Sequence, residues 1–152
     1  MKIVCGPLLG GAFLAQLVAG ILGARFCFTE RVMPANRDGL YEARYLLPTA
    51  FGETMFGQRV AIVDDVMSAG SALRGTFTEI VKFGGRPVVA GALLVLGSRG
   101  LDLFADKSLP VEAVARDEFA LWPPGDCPLC GAGVPVEDVT AFPLAGNAES
   151  PR

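Results

Sequence analysis

Short apolar runs alternate along the chain with segments of helical spacing, and this alternation predicts the secondary structure. The run VAIV at 60–63 is uniformly apolar, which is typical of a strand buried on both faces of a parallel sheet. After it, Leu73, Phe77 and Ile80 follow the spacing of one helix face. The predicted elements are a strand at 2–5, a loop at 6–11, a helix at 12–22, a strand at 24–29, an irregular segment at 30–58, a strand at 59–64, a helix at 71–83, and strands at 87–96 and 111–115.

Strands that alternate with helices of this length imply right-handed crossovers and a mostly parallel sheet flanked by helices. The predicted fold class is therefore α/β, and 152 residues with 51% hydrophobic content are enough for a single domain. We expect a core at 1–122 and a Pro/Gly-rich tail at 123–152 that contains a CxxC pair. The polar stretch at about 32–58 is long for a loop, which predicts a mobile loop that closes over a ligand, with a possible strand pair around 40–47.

Two adjacent carboxylates, Asp64 and Asp65, follow the apolar strand, and a turn of small and hydroxyl residues at 68–71 opens the next helix. Ligands of such sheets bind beyond the carboxyl ends of the strands, so the acids are expected to face a crevice. Free amides at a helix start attract a phosphate, and carboxylates accept hydrogen bonds from vicinal hydroxyls, directly or around a divalent cation. The pattern predicts a site for a sugar phosphate. The alternative is an ordinary strand, turn and helix with exposed acids.

These residues resemble the PRPP motif of the type I phosphoribosyltransferases, most of all the orotate branch, and the resemblance covers about residues 2–133. It implies the type I phosphoribosyltransferase fold, with Asp64 and Asp65 on the ribose hydroxyls and the following loop around the 5′-phosphate. Ser68 and Ser71 stand where threonine is commoner, but both keep a hydroxyl. The PRPP-binding residues that the resemblance assigns are Asp64, Asp65, Val66, Met67, Ser68, Ala69, Gly70, Ser71, Ala72 and Arg31.

A glycine-rich loop at 6–11 stands where the family receives the pyrophosphate of PRPP, through a backbone turned by glycine or a cis peptide. A packing or turn role for Gly-Gly is the alternative. Arg31 is the candidate pyrophosphate ligand, because its planar fork can hold two phosphate oxygens, and a solvated surface arginine is the competing interpretation. The residues assigned to the pyrophosphate loop are Pro7, Leu8, Leu9, Gly10 and Gly11.

The chain departs from the family at three places. The segment 32–58 has neither the lysine nor the histidine of the family's mobile loop. Arg37 stands nearest to the position of that lysine, so the catalytic candidates are Asp64, Asp65 and Arg37. Arginine can neutralise departing pyrophosphate but does not easily give up a proton. For the base, Ser68 and Arg99 are the candidates, with Arg99 one place from the expected arginine. The family's preceding hood segment is missing from this sequence, so either the true start lies upstream or part of the base pocket is lacking.

Charge and composition exclude several other functions. The net charge is −3 without a Lys/Arg cluster, so no nucleic-acid partner is expected, and the absence of histidine excludes a histidine base, a Ser-His triad and a histidine metal ligand. The apolar start could pass for a secretory signal, but Gly6-Pro7, Gly10-Gly11 and Gln16 interrupt it. It is also short for a membrane span. We therefore expect no membrane partner and a cytoplasmic location.

The cysteines leave one alternative open. Cys127 and Cys130 form a CxxC pair, which is a half-site for zinc or a possible redox couple, but no second pair and no histidine follows. Cys5 and Cys27 lie in predicted strands, where cysteine usually serves packing. Similar Cys-Pro-Leu-Cys tails occur in a branch of orotate phosphoribosyltransferase-like proteins, so the pair also fits the resemblance.

Taken together, the resemblance implies transfer of phosphoribose from PRPP to a nitrogenous base, most of all orotate, giving orotidine monophosphate and pyrophosphate. Mg²⁺ is the implied cofactor, bound through PRPP and through Asp64 and Asp65, and a homodimer is the implied assembly. Three alternatives remain: a non-catalytic regulatory protein that binds PRPP or a nucleotide, a phosphoribosyltransferase for another purine or pyrimidine base, and a redox or zinc protein centred on the CxxC pair.

Overall fold

The computed structural model describes residues 2–32, 43–118, 120 and 122–135. The chain divides into two compact units, residues 1–119 and 120–152. The second unit contains a 3-10 turn at Pro124–Asp126 and the short helix α5 (Pro128–Gly131). The first unit contains β1 (Ile3–Pro7), α1 (Gly10–Leu22), β2 (Arg25–Val32), β3 (Arg44–Leu46), α2 (Thr49–Met55), β4 (Arg59–Met67), α3 (Ser71–Lys82), β5 (Arg86–Leu96), α4 (Arg99–Ala105) and β6 (Val111–Asp117).

The strands of the first unit form a six-stranded sheet in the order β3-β2-β1-β4-β5-β6. β3 runs antiparallel to β2, and the other four pairings are parallel, which confirms the predicted α/β class. The connection through α1 carries the chain from β1 to β2 in one direction, and the connection through α3 carries it from β4 to β5 in the other. Since the order reverses between β1 and β4, a crevice for a ligand is expected there.

The two faces of the sheet have separate cores, because successive side chains of a strand point to opposite faces. Val4, Ala61 and Val63 pack against Ala15 and Ala19, so α1 covers one face. The larger cluster on the other face combines side chains of β1, β4 and β5 with α2, α3 and α4, and it includes Ile3, Cys5, Val60, Ile62, Met55, Leu73, Ile80 and Phe104. The starts of α1 and α3 therefore approach the carboxyl ends of the central strands from opposite sides.

The predicted irregular segment at 30–58 is wrong in three parts. β2 continues to Val32, β3 occupies 44–46 and α2 occupies 49–55, while residues 33–42 lie outside the described part. β3 pairs with β2, where Arg31 stands opposite Tyr45, a partner that the local pattern does not reveal; residues 40–42 of the predicted strand pair lie outside the described part. α2 is only seven residues long and contains Gly52, so its stability comes from burial of Met55 rather than from helix propensity.

The borders of the central elements also differ from expectation. β1 runs to Pro7 and α1 begins at Gly10, so the predicted loop at 6–11 contracts to Leu8 and Leu9. β4 continues to Met67, which places both acids within the strand rather than at its end. α4 was not predicted. β1 and α1, where a strand at 2–5 and a helix at 12–22 were predicted, contribute buried core residues. No helix of the described residues is long and apolar enough to cross a membrane.

Candidate functional site

The acid pair consists of one buried and one exposed carboxylate. Asp64 is 7% exposed, whereas Asp65 lies open to solvent. The Asp65 N–H donates to Asp64 Oδ1 at 3.1 Å, and the Val66 N–H donates to Asp65 Oδ1 at 2.9 Å. Backbone amides of the strand therefore hold both side chains near their own main chain.

Burial raises the pKa of Asp64 to about 7, and the hydrogen bond and charge of Asp65 act in the same direction. Hydrogen bonds from the backbone N–H groups of Asp65 and Gly11 oppose this rise in pKa. A carboxyl group with a pKa so far above its usual range, at the end of a crevice, is typical of a functional residue.

The loop after the acids forms a small pocket of about 60 Å³. Gly70 has φ of +74°, a left-handed conformation that favours glycine, and α3 begins at the next residue without a side-chain cap. The first amides of this 12-residue helix are thus available to an anion. Ala69 and Asp65 are not among the lining residues, which are Asp64, Val66, Met67, Ser68, Gly70, Ser71, Ala72 and Leu73.

The predicted pyrophosphate loop lies beside the acids. The peptide bond between Leu8 and Leu9 is cis, and the Leu8 N–H donates to the carbonyl oxygen of Thr29 at 2.8 Å. Gly10 and Gly11 then open α1 directly against Asp65 and Asp64, respectively. The structure therefore brings this loop and the acid pair together.

Arg31 lies exposed near the end of β2, where it pairs with Tyr45 of β3. Burial raises the pKa of Tyr45, the Asp64 charge raises it further, and the Arg31 charge lowers it, so both charged groups act on the phenol. The Tyr45 ring lies on α3, since a Cβ on Gly75 would be 2.5 Å from Tyr45 Cδ2. Sequence reasoning missed Tyr45, because the only signal was a short strand pattern around 40–47.

A larger groove of about 490 Å³ continues from the phosphate loop between β3 and α3. Arg44, Arg74 and Lys82 line it together with Tyr45 and Ser71. Lys82 is paired with Glu79, at 3.1 Å between Nζ and Oε1. The groove thus joins the predicted phosphate site to a basic wall that the sequence did not indicate.

The start of α4 touches the phosphate loop at two glycines. A Cβ on Gly100 would lie 2.9 Å from the Ser68 carbonyl oxygen, and a Cβ on Gly70 would lie 3.1 Å from Gly100 Cα. Arg99, exposed, is the first residue of this helix, so the predicted base-binding residues Ser68 and Arg99 belong to adjoining segments. Arg37 lies outside the described residues.

The CxxC pair spans the start of α5, with Cys127 half-buried and Cys130 exposed. Hydrogen bonds from the Cys130 N–H and thiol lower the pKa of Cys127, and the bond to Cys127 raises the pKa of Cys130. Across residues 2–32, 43–118, 120 and 122–135, no group of three or more His, Cys, Asp or Glu side chains is placed to hold a metal ion.

The sequence is similar to orotate phosphoribosyltransferases. It is 36% identical to that of Heliobacterium modesticaldum over 134 residues, which cover 88% of this chain and 63% of the relative. It is 28% identical to that of Thermotoga maritima over 140 residues, which cover 90% of this chain and 66% of the relative. The chain therefore spans 63–66% of the length of these two curated relatives. No family model matches the sequence.

The fold is similar to that of adenine phosphoribosyltransferase from Thermoanaerobacter pseudethanolicus, with a TM-score of 0.62 and 19% identity over 76% of this chain and 70% of that chain. At this identity the likeness concerns the fold and not the base. The chain therefore has the type I phosphoribosyltransferase fold and resembles orotate phosphoribosyltransferases in sequence.

Proposed function

We propose that this chain is a phosphoribosyltransferase that transfers phosphoribose from PRPP to a nitrogenous base, with orotate as the first candidate. The observation that carries the proposal is the order of three features at one edge of the sheet. The acid pair stands between the uncapped start of α3 and the glycine-rich start of α1. PRPP has the same order, with two ribose hydroxyls between a phosphate and a pyrophosphate, so each feature has a matching group on the ligand.

The chemistry follows from where charge develops when pyrophosphate leaves. Positive charge grows on the ribose ring, next to Asp64 and Asp65, which orient the hydroxyls and partly offset that charge. Negative charge grows on the pyrophosphate, where Arg31 and Arg37 would offset it. The amides of Ser71, Ala72 and Leu73 fix the 5′-phosphate, and this positioning contributes to the rate independently of charge.

The acid pair fits Mg²⁺ as a cofactor. This cation takes one or two carboxylates and completes its shell with water and substrate phosphates, so a site with two carboxylates is sufficient. Asp65 is exposed and Asp64 adjoins it, so these two residues, together with PRPP, would hold the ion. Bound there, Mg²⁺ neutralises charge on the departing pyrophosphate.

The proposed acceptor base is orotate. Orotate carries a carboxylate that an arginine can pair with, and Arg99 adjoins the phosphate loop. Adenine has no such group, so Arg99 would favour orotate. The names of the sequence relatives support orotate, whereas the adenine enzyme among the structural neighbours keeps another base open.

A second candidate function is a non-catalytic protein that binds PRPP or a nucleotide. The absence of lysine and histidine between residues 32 and 58 favours it, since both residues of the resembled family's loop are missing there and an arginine does not give up a proton readily. Calorimetric binding of PRPP without pyrophosphate release for any base would support this candidate.

We also propose that the chain forms a homodimer through α1. Leu9, Phe13, Leu17 and Ile21 are 70%, 65%, 67% and 84% exposed, and their spacing of four residues makes one stripe along the helix. The stripe exposes roughly 500 Å² of apolar surface, at the upper end of what a monomer usually leaves open. With the flanking Leu22, Leu14 and Val18 it approaches the roughly 800 Å² per partner of a standard interface.

A second copy fits this stripe because it is self-complementary. An antiparallel twofold pairing sets Leu9 against Ile21 and Phe13 against Leu17. No charged residue occurs anywhere in α1, so the pairing buries no charge. The interface would begin at the pyrophosphate loop of each copy.

The proposed function is tested with a double variant. Asp64→Asn with Asp65→Asn should abolish PRPP binding in calorimetry and pyrophosphate release in a panel of bases with Mg²⁺, while the circular dichroism spectrum stays unchanged. The wild-type chain should release pyrophosphate fastest with orotate. Retained PRPP affinity in the double variant would contradict the proposal.

A further inference from the structure

The first two residues of α1 lie against the acid pair so closely that a side chain would fit only if a carboxylate moved. A Cβ on Gly10 would overlap the Asp65 carboxylate, with even Oδ1 only 2.7 Å away. A Cβ on Gly11 would lie 2.6 Å from Pro7 Cδ, 2.7 Å from Asp64 Oδ1 and 2.8 Å from the Val63 carbonyl oxygen. Real Cβ atoms essentially never approach below 3.0 Å.

Backbone conformation does not explain these glycines. The described glycines with positive φ are Gly23, Gly57, Gly70, Gly84, Gly97 and Gly133, so Gly10 and Gly11 adopt angles open to any residue. Glycine also weakens a helix, and two in the first turn of α1 carry that cost without a conformational reason. Besides the close approach of pyrophosphate to the backbone that the proposed function would use, the two missing side chains leave space on the side of the acid pair.

We infer that Gly10 and Gly11 are positioning residues that seat the acid pair: the absence of their side chains lets Asp65 and Asp64 lie against the first turn of α1. This inference rests on the proposed function, since it concerns the same two carboxylates. The Gly11 N–H donates to Asp64, and the Asp65 N–H holds the same carboxylate at 3.1 Å. A methyl group at position 11 would push the Asp64 carboxylate off these donors. One at position 10 would push the Asp65 carboxylate off the Val66 N–H, which donates to it at 2.9 Å, and in either case a carboxylate moves away from the ribose hydroxyls.

Gly20 provides a matched control on the same helix. It is exposed, and a Cβ there would meet nothing within 4 Å. Gly10→Ala should weaken PRPP binding by on the order of tenfold or more, because small displacements of a substrate-positioning group have effects of that size. Gly20→Ala should leave binding unchanged and raise the melting temperature slightly, since alanine favours the helix.

A double-mutant cycle shows whether Gly10 acts through Asp65. In an Asp65→Ala background the carboxylate is gone, so adding Gly10→Ala should change PRPP affinity by less than about twofold. A role of Gly10 through the loop backbone alone would instead give the same loss in both backgrounds, and that result would overturn the inference. Wild-type affinity in Gly10→Ala would overturn it equally.

The same cycle is read by urea unfolding, which needs no ligand. Gly10→Ala should destabilise the wild-type chain, and Asp65→Ala should restore most of that loss. If Gly10→Ala fails to fold, recovery of folding in the double variant supports the inference, and continued failure overturns it. Because unfolding is measured without PRPP, loss of the proposed function and loss of this inference are distinguishable.

Discussion

The carboxyl group of Asp64 is almost withdrawn from water, and this determines how the stability of the protein responds to pH. Its pKa of about 7 in the folded chain lies above its ordinary value of 3.8. The folded state therefore holds the proton more tightly than the unfolded state. The stability that the proton contributes is present below about pH 4 and is lost as the pH rises to about 7.

Asp64→Asn should consequently stabilise the chain at pH 8 relative to wild type, and much less at pH 4. An amide cannot ionise but still accepts N–H donors, and the difference between the two pH values should be up to about 4 kcal/mol. Urea unfolding with a chelator present measures it, with the exposed Asp102→Asn variant as control. A stabilisation by Asp64→Asn that does not change with pH would contradict the assignment.

The thiol of Cys127 should react before that of Cys130. Hydrogen bonds from Cys130 lower the pKa of Cys127, so its thiolate is more populated below about pH 8.5. Mass spectrometry after brief treatment with iodoacetamide should find Cys127 labelled first, while the buried Cys5 and Cys27 react only after unfolding. Cys130→Ala removes the thiol donor and should slow this labelling, and equal rates for Cys127 and Cys130 would contradict the prediction.

Single residues of the site were predictable where their chemistry is local. Asp64, Asp65 and the small residues after them are consecutive in the sequence, and most of them line one pocket in the structure. Tyr45 was not predictable, because its place beside Arg31 depends on the pairing of β3 with β2 and on Gly75 of α3. The close contact of Gly10 and Gly11 with the acid pair was not predictable for the same reason, because it depends on a contact between β4 and α1.

At the scale of elements, α1 has one side that packs against the sheet and one apolar side that is exposed. Ala12, Ala15 and Ala19 are buried, whereas the stripe from Leu9 to Ile21 is open. α1 is thus buried against the sheet on one side only. The apolar residues on the other side need another explanation, which the proposed dimer supplies.

Leu17→Glu should convert the proposed dimer into a monomer. A charge at the centre of the stripe would be buried without a partner, which costs several kcal/mol in an interface. Light scattering after gel filtration measures the change in mass. Val81→Glu, on α3 at the other face of the sheet, is the matched control and should leave the mass unchanged. A wild-type chain that remains monomeric throughout the accessible concentration range would contradict the dimer.

The elements that the pattern predicted correctly are those with long apolar signals. β4, α3 and β5 were placed to within a few residues, because a buried run or a full helix face defines each of them. α2 and α4 have seven residues each, too few for two clear turns of periodicity. Their helical state depends on tertiary burial of Met55 and Phe104, which no local window contains.

For the whole molecule, we propose that residues 1–122 form the phosphoribosyltransferase core and 123–152 a separate tail. The two core clusters lie entirely within the first part. A chain ending at residue 122 should therefore keep a cooperative unfolding transition, with a melting temperature within about 2 °C of the full chain. Differential scanning calorimetry measures this, and loss of the cooperative transition would contradict the division.

The pairing of β1 with β4, in which Ile3 lies beside Val60, has a consequence for the folding and unfolding of the protein. The residues that would hold PRPP lie on both sides of this seam between the two strands. Gly10 and Gly11 follow β1, whereas Asp64 and Asp65 belong to β4. Neither side of this seam contains both the two glycines and the two carboxylates. Sugar-phosphate capture would thus appear only once distant parts of the polypeptide have met, making ligand retention a sensitive reporter of complete sheet assembly.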